Sequence, residues 1–174
     1  FNSYAALGPK YAANTVTAVA ASKAWNVAGL HCAQAILPNA ELRAKWDEAP
    51  KAIFGSPCAL GILAAIPAYL ESDEWLDAVI AQINANLDLL DEALAGTAVD
   101  YCRPQATYLA WLGFEDVPGM EDPARVLRED YHVAVNDGCT LGAGYERWVR
   151  ANAAMSPEPW KRVVDAIAQV ARGR

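Results

Sequence analysis

The stretch TVTAVAASKAWNVAGL, residues 15–30, decides the fold that the sequence predicts. Residues 15–20 are β-branched or small and apolar, which predicts a short strand buried on both faces. The strand should stop at Ser22 and Lys23, and Gly29 should break the chain shortly afterwards. A lysine at such a place is usually the solvated end of its strand, so Lys23 alone says little about function.

The setting of Lys23 gives it a second interpretation. A lysine that attacks a carbonyl compound has to react as a free base, and removal from water favours the uncharged amine. The end of a buried strand, followed by a tight turn through Asn26 and Gly29, would place the amine in that way. Lys23 is therefore a candidate nucleophile.

The rest of the chain predicts alternating strands and helices. Strands are expected at residues 31–37, 99–102, 106–112, 132–135 and 147–151, and helices at 40–48, 57–70, 123–129 and 157–171. The clearest element is a helix at residues 73–95, where apolar side chains recur at steps of three and four. Ser72 should cap the start of this helix and Ser156 the start of the last one, and Gly96 follows the long helix.

Composition excludes several classes of function. The 174 residues are 54% hydrophobic and 20% charged, enough for a sizeable core in one domain or slightly more. A net charge of −7 argues against a nucleic-acid partner, because phosphate binding needs a basic face. Residues 59–70, the longest apolar stretch, are shorter than the ~20 residues of a membrane span. The cysteines and histidines lack metal-ligand spacing, so we expect no metal, reduced thiols and a cytoplasmic protein.

The string SKAWNVAGL, residues 22–30, resembles the pyridoxal-phosphate (PLP) lysine motif of the class I/II aminotransferases. It is most similar to the branch of cystathionine β-lyases and related C–S lyases, where Ser-Lys-x-aromatic-Asn-x-x-Gly-Leu is typical. The resemblance implies that Lys23 binds the cofactor covalently and later moves the substrate α-proton, and that Ser22 lies close to the cofactor phosphate. Many aminotransferases have a phosphate-binding arginine where this chain has His31, a departure that fits the lyase branch better.

Three further segments resemble the same branch, in the same order. Residues 59–90 track its helix pair, and residues 103–114, RPQATYLAWLGF, resemble its P-x-x-T-Y-L-A-W segment. Residues 144–155, GYERWVRANAAM, resemble the segment whose arginine grips the substrate carboxylate. That role implies Arg150, which lies in an apolar strand where a guanidinium needs an anion. Arg147 is the competitor, but the Arg-x-Asn spacing with Asn152 favours Arg150.

The resemblance implies an α/β fold made of two parts of a fold type I enzyme. Residues 1–72 would be the tail of the large PLP domain, residues 73–95 a long connecting helix, and residues 96–174 the small C-terminal α/β domain. The implied protein is a PLP-dependent enzyme acting on amino acids, a cytoplasmic homodimer that most closely fits C–S β-elimination. Transamination would use the same residues, and a non-catalytic dimerisation or regulatory module is the alternative of another class.

The chain begins at Phe1 without an initiator methionine, which predicts a piece of a longer protein. In the family, the residues that hold the pyridine nitrogen and the ring face of PLP precede this part of the chain. We therefore expect residues 1–174 alone to be inactive.

Overall fold

The computed structural model describes residues 3–50 and 55–173. Phe1, and with it the start of the predicted first domain, lies outside the described residues. The chain divides into two compact units, one ending at Asp77 and the other starting at Ala78. This division falls inside the long helix, and the predicted domain limits at 72/73 and 95/96 stay predictions. No described helix is both long and apolar enough to cross a membrane.

The first unit combines a two-stranded sheet with short helices. Strands β1 (Thr17–Val19) and β2 (Gln34–Ile36) are antiparallel, with Ala18 opposite Ala35. The helices are α1 (Pro9–Ala12), α2 (Ala21–Ala24), α3 (Ala40–Glu48) and α4 (Ala59–Glu71), with 3-10 turns at Tyr4–Leu7 and Ala28–Leu30. The predicted elements at 15–20, 31–37, 40–48 and 57–70 are thus all present, the two strands in shortened form.

The prediction that the first strand is buried on both faces is wrong, and the apolar side chains of α4 are also exposed. Val19 in β1 is 36% exposed, and Leu63 and Leu70 in α4 are 65% and 76% exposed. Among the described residues of this unit, the buried hydrophobic core consists of small side chains, namely Ala21, Ala65 and Ala68. The apolar side chains of β1 and α4 therefore form surfaces that the described residues leave exposed.

Helix α5 (Asp73–Leu94) follows almost directly on α4 and confirms the prediction for residues 73–95. Ser72 occupies the cap position, because its carbonyl accepts the amide hydrogen of Leu76 at 3.2 Å. Its hydroxyl instead donates to the carbonyl of Pro67 at 3.1 Å. Gly96 follows with a left-handed φ of 72°, as expected after a helix.

The second unit contains a four-stranded antiparallel sheet. Its strands are β3 (Asp100–Tyr101), β4 (Leu109–Gly113), β5 (Asn136–Asp137) and β6 (Trp148–Asn152), in the spatial order β3-β4-β6-β5. Helices α6 (Pro123–Glu129) and α7 (Pro157–Ala171) match their predicted ranges. Ser156 precedes α7, but its side chain makes no capping hydrogen bond.

The strand predicted at residues 132–135 is absent, and β5 follows it instead. His132 has a left-handed φ of 57°, and the amide of Val133 donates to the carbonyl of Leu127 at 2.8 Å. This segment therefore closes the end of α6 and only then pairs with β6. The apolar residues at 132–135, which suggested a strand, instead form the turn that ends α6.

The sheet of the second unit has one buried face and one open face. Ala110, Leu112, Val149 and Ala151 point into the core, which also contains apolar residues of α5, α6 and α7. Since side chains alternate along a strand, the residues between them share the opposite face. These are Leu109, Trp111, Trp148 and Arg150, all only partly buried.

Candidate active site

Ser22 and Lys23 lie on α2, the single helical turn that follows β1. The turn is closed by a hydrogen bond from the amide of Val27 to the carbonyl of Ser22, at 3.1 Å. Asn26 takes the left-handed conformation at this closure, with a φ of 56°. Asparagine tolerates that conformation better than most residues, so the sequence explains why the chain turns here.

Helix α2 is anchored on α4. Ala21 is 1% exposed and packs with Ala65 and Ala68. The indole nitrogen of Trp25 donates to the carbonyl of Ser72 at 3.3 Å. Trp25 also meets Tyr69 edge to face, with ring centroids 5.0 Å apart.

Gly61 brings α4 close to the segment after α2. A Cβ at this position would lie 2.1 Å from the carbonyl oxygen of Leu30 and 2.9 Å from Cβ of Cys32. Only glycine allows this approach. The turn that carries Lys23 is therefore fixed from both ends by α4.

Lys23 itself is exposed, while Ser22 beside it is half-buried. A primary amine and an adjacent hydroxyl fit an aldehyde and a phosphate, so the donor set agrees with PLP. The desolvation expected from a buried strand is not supplied by the described residues, because β1 is itself exposed.

Arg150 lies on the open face of β6, half-buried, beside the pairing partner Asn136. One terminal nitrogen of its guanidinium donates to Oδ1 of Asn136 at 3.2 Å. Its Nε is buried and has no hydrogen-bond partner among the described residues. A buried cationic donor without a partner is costly, and an anion against the guanidinium would offset that cost.

An open pocket of about 450 Å³ adjoins this guanidinium. Arg150 lines one part of it and apolar or aromatic side chains line the rest. These are Leu109, Trp111, Leu141 and Tyr145. The arrangement can hold the carboxylate of a small molecule at the arginine and an apolar group beside it.

Arg147, the competing arginine, is occupied by the backbone. Its Nε donates to the carbonyl of Met120 and a terminal nitrogen to the carbonyl of Val117, both at 2.8 Å. Arg147 thus ties the loop after β4 to the start of β6.

Ser22 and Lys23 belong to the first unit and Arg150 to the second, and each is described within its own unit. Sequence reasoning missed Asn136 as the partner of Arg150 and the aromatic lining of the pocket. The lining had a signal, because alternation places Leu109 and Trp111 on one face of the TYLAW strand. No sequence signal pointed to the contact between Asn136 and Arg150, since the strand of Asn136 was predicted four residues too early.

Comparisons with known proteins point to one family. The family model described as aminotransferase class I and II matches residues 4–167. Cystathionine beta-lyase of Corynebacterium glutamicum is 38% identical over 161 residues, 91% of this chain and 43% of that protein. A crystal structure from Corynebacterium diphtheriae, assigned as a PLP-dependent β-cystathionase, matches with a TM-score of 0.86 and 31% identity. That match covers 97% of this chain and 45% of the other.

A third relative was solved with its cofactor. The PLP-bound C–S lyase of Staphylococcus hominis has a TM-score of 0.75 and 26% identity, over 89% of this chain and 38% of its own. The chain thus spans less than half the length of the relatives it matches. Since the family model covers most of the chain and the structural match includes both α/β units, the chain belongs to the class I and II aminotransferase family and has the fold of its PLP-dependent members.

Proposed function

We propose that the protein containing this chain is a PLP-dependent enzyme that cleaves C–S bonds of amino acids by β-elimination. The proposal is supported by 38% identity to a cystathionine beta-lyase across most of the chain. It is also supported by the PLP-bound C–S lyase among the structural relatives.

The geometry around Arg150 is the observation that carries the proposal. Its guanidinium has an unpartnered buried Nε and adjoins an open pocket, whereas Arg147 is engaged by two backbone carbonyls. The planar fork of a guanidinium matches a carboxylate with two parallel hydrogen bonds. We assign Arg150 to the substrate α-carboxylate and Arg147 to the structure of its loop.

Lys23 and Ser22 act at the cofactor in this proposal. Lys23 would provide the amine that holds PLP covalently, and the free amine of Lys23 would remove the proton from Cα of the substrate. The Ser22 hydroxyl donates a hydrogen bond to the cofactor phosphate. When bound, PLP supplies the electron sink that stabilises negative charge at Cα. The thiolate would leave from the β-carbon with the electron pair of the C–S bond. The remaining three-carbon unit would then take up water and give pyruvate and ammonia.

Transamination is the second candidate, because the matching family model is that of the aminotransferases. In transamination, Lys23 would return the proton to the cofactor, and no group would leave from the β-carbon of the substrate. His31 favours elimination in our proposal, since it stands where many aminotransferases have a phosphate-binding arginine. We further propose a cytoplasmic location, in keeping with the four free thiols of the chain, and a homodimer, as the family resemblance implies.

The reaction type is tested with the holoenzyme that contains this chain. Incubation with L-cystathionine should release pyruvate without any keto-acid acceptor. Arg150→Ala should lower kcat/KM by about 100-fold or more, because a charge-assisted bidentate contact is worth a few kcal/mol. Lys161→Ala, which removes an exposed lysine of α7, is the matched control and should have no effect.

Two results would contradict the proposal. Absence of pyruvate together with ready amino transfer to 2-oxoglutarate would establish the aminotransferase reaction. An unchanged kcat/KM in Arg150→Ala would remove Arg150 from the substrate site.

A further inference from the structure

Three aromatic rings stand next to Arg150 on the open face of the second unit. Trp111 stacks on Trp148 with centroids 5.4 Å apart and an interplanar angle of 20°. Tyr145 meets both edge to face, at 5.3 Å from Trp111 and 5.9 Å from Trp148. Such offset-stacked and edge-to-face contacts stabilise aromatic groups beyond their burial. We call these three residues the aromatic cluster.

The cluster is held in place from below by the sheet. Trp148 is paired with Gly113, and a Cβ on Gly113 would lie 2.6–2.8 Å from the indole ring of Trp148. The ring therefore covers the glycine, a known way to fill the space above a strand glycine. The indole nitrogen of Trp148 donates to Glu115 at 3.2 Å. Trp148 thus forms a fixed base for Trp111.

The register places Trp111 directly beside the arginine. Trp111 and Arg150 are opposite each other on β4 and β6, and both line the pocket of about 450 Å³. Of the five residues that line this pocket, Arg150 alone carries a charge. When the carboxylate of a ligand binds Arg150, the rest of that ligand would therefore lie within reach of an aromatic and aliphatic wall.

We propose that the aromatic cluster selects the side chain of the substrate, with Trp111 and Tyr145 as specificity-determining residues. The preferred class is an amino acid with an uncharged thioether side chain. This inference rests on the proposed function and adds the substrate class to it. A thioether sulfur and its alkyl group make favourable contacts with aromatic rings. A second ammonium and carboxylate at the far end would meet no further charged group among the five lining residues, and any part of them removed from water would lack a partner there.

The test compares two thioethers that differ in the charged groups at the far end of the side chain. S-Propyl-L-cysteine has the same chain as L-cystathionine without the distal ammonium and carboxylate. With the holoenzyme, we expect kcat/KM for S-propyl-L-cysteine to be at least about tenfold higher, a discrimination of about 1.4 kcal/mol. β-Chloro-L-alanine, which carries chloride and no alkyl chain on its β-carbon, measures elimination with the least contact to the cluster.

Substitutions then assign the preference to the cluster. Trp111→Ala should lower kcat/KM for S-propyl-L-cysteine about tenfold more than for β-chloro-L-alanine, whereas Trp111→Phe should keep most of the preference. Trp75→Ala, which removes an exposed tryptophan of α5, is the matched control and should change neither value.

Binding is measured separately with L-2-aminoheptanoate, which has the same side-chain length but no leaving group. Its dissociation constant, followed by the cofactor absorbance, should rise about tenfold in Trp111→Ala. If no substrate releases pyruvate but this rise occurs, the proposed reaction is wrong and the pocket assignment stands. A wild-type preference for L-cystathionine, or equal losses for all ligands in Trp111→Ala, would overturn the inference. If Trp111→Ala does not fold, the wild-type ratio of kcat/KM for S-propyl-L-cysteine and L-cystathionine still tests the inferred substrate class.

Discussion

Asn86 holds the segment that follows the arginine strand. It is completely buried in α5, and its side-chain nitrogen donates to the carbonyls of Ala153 and Met155 at 2.8 and 2.9 Å. Its own backbone carbonyl accepts the indole hydrogen of Trp160 at 2.7 Å. Asn86 therefore joins α5 to the end of β6 and the start of α7.

Asn86→Ala should destabilise the second unit by about 2–4 kcal/mol. Three side-chain hydrogen bonds are lost, because the Asn86 side-chain oxygen also accepts from the side-chain amide of Gln82 at 2.9 Å. A buried group left unsatisfied costs about 1–3 kcal/mol. The loss at Ala153 is partial, because its carbonyl still accepts the amide of Met155 at 2.9 Å. The bond to the indole of Trp160 is unaffected, since it uses the backbone.

Hydrogen exchange measures this change within the unit. The amides of β6 at Val149 and Ala151 should exchange about 30- to 700-fold faster in Asn86→Ala, which is 2–4 kcal/mol expressed as a rate. Asn84→Ala, an exposed position on the same helix, is the control and should stay within about 0.5 kcal/mol of wild type. Equal exchange in the two variants would refute the anchoring role of Asn86.

Two further predictions concern the sheet of the second unit. Gly113→Ala should lower the free energy of unfolding by about 1–3 kcal/mol, because the new methyl overlaps the ring of Trp148, whereas Gly29→Ala, with open space around it, should not. Burial and the neighbouring Asp91 carboxylate raise the pKa of Tyr101 above its ordinary value of 10.0. As pH rises, the unfolded chain therefore loses this phenolic proton before the folded chain does. Ionisation of Tyr101 should leave the free energy of unfolding unchanged well below pH 10 and should lower it above pH 10. Tyr101→Phe should remove that part of the fall in a pH series of urea unfolding curves, and an identical alkaline slope in both proteins would contradict it.

The helices were the most predictable part of the fold. Residues 40–48, 123–129 and 157–171 were predicted at the bounds observed, because local signals determine where such helices start. The side chain of Asn39 accepts the amide of Glu41 at 2.7 Å, and that of Asp122 accepts the amide of Arg125 at 2.9 Å. Proline at position 157 is likewise suited to a first helical turn.

Burial and pairing were not predictable in the same way. The apolar residues of β1 and α4 identify surfaces to be covered, but the pattern does not say whether this part of the chain covers them. The apolar run at residues 132–135 suggested a strand, although a left-handed His132 and the bond from Val133 to Leu127 make it the end of α6. Local periodicity does not distinguish these uses of an apolar residue.

In the candidate site, too, local sequence patterns predicted the position of a residue but not its contacts. Motif spacing and strand alternation were enough to nominate Arg150 and to place it in an apolar strand. Its contact with Asn136 depends on the register between β5 and β6, which no local pattern contains. The engagement of Arg147 by the carbonyls of Val117 and Met120 depends in the same way on how a loop folds back.

The central claim is that Lys23 is the residue that binds PLP. Borohydride reduction of the holoenzyme fixes the cofactor on the lysine that holds it, and peptide mass mapping then identifies that lysine. The label should be on the peptide that contains Lys23. Label on Lys10, Lys45, Lys51 or Lys161, with Lys23 unmodified, would contradict the account.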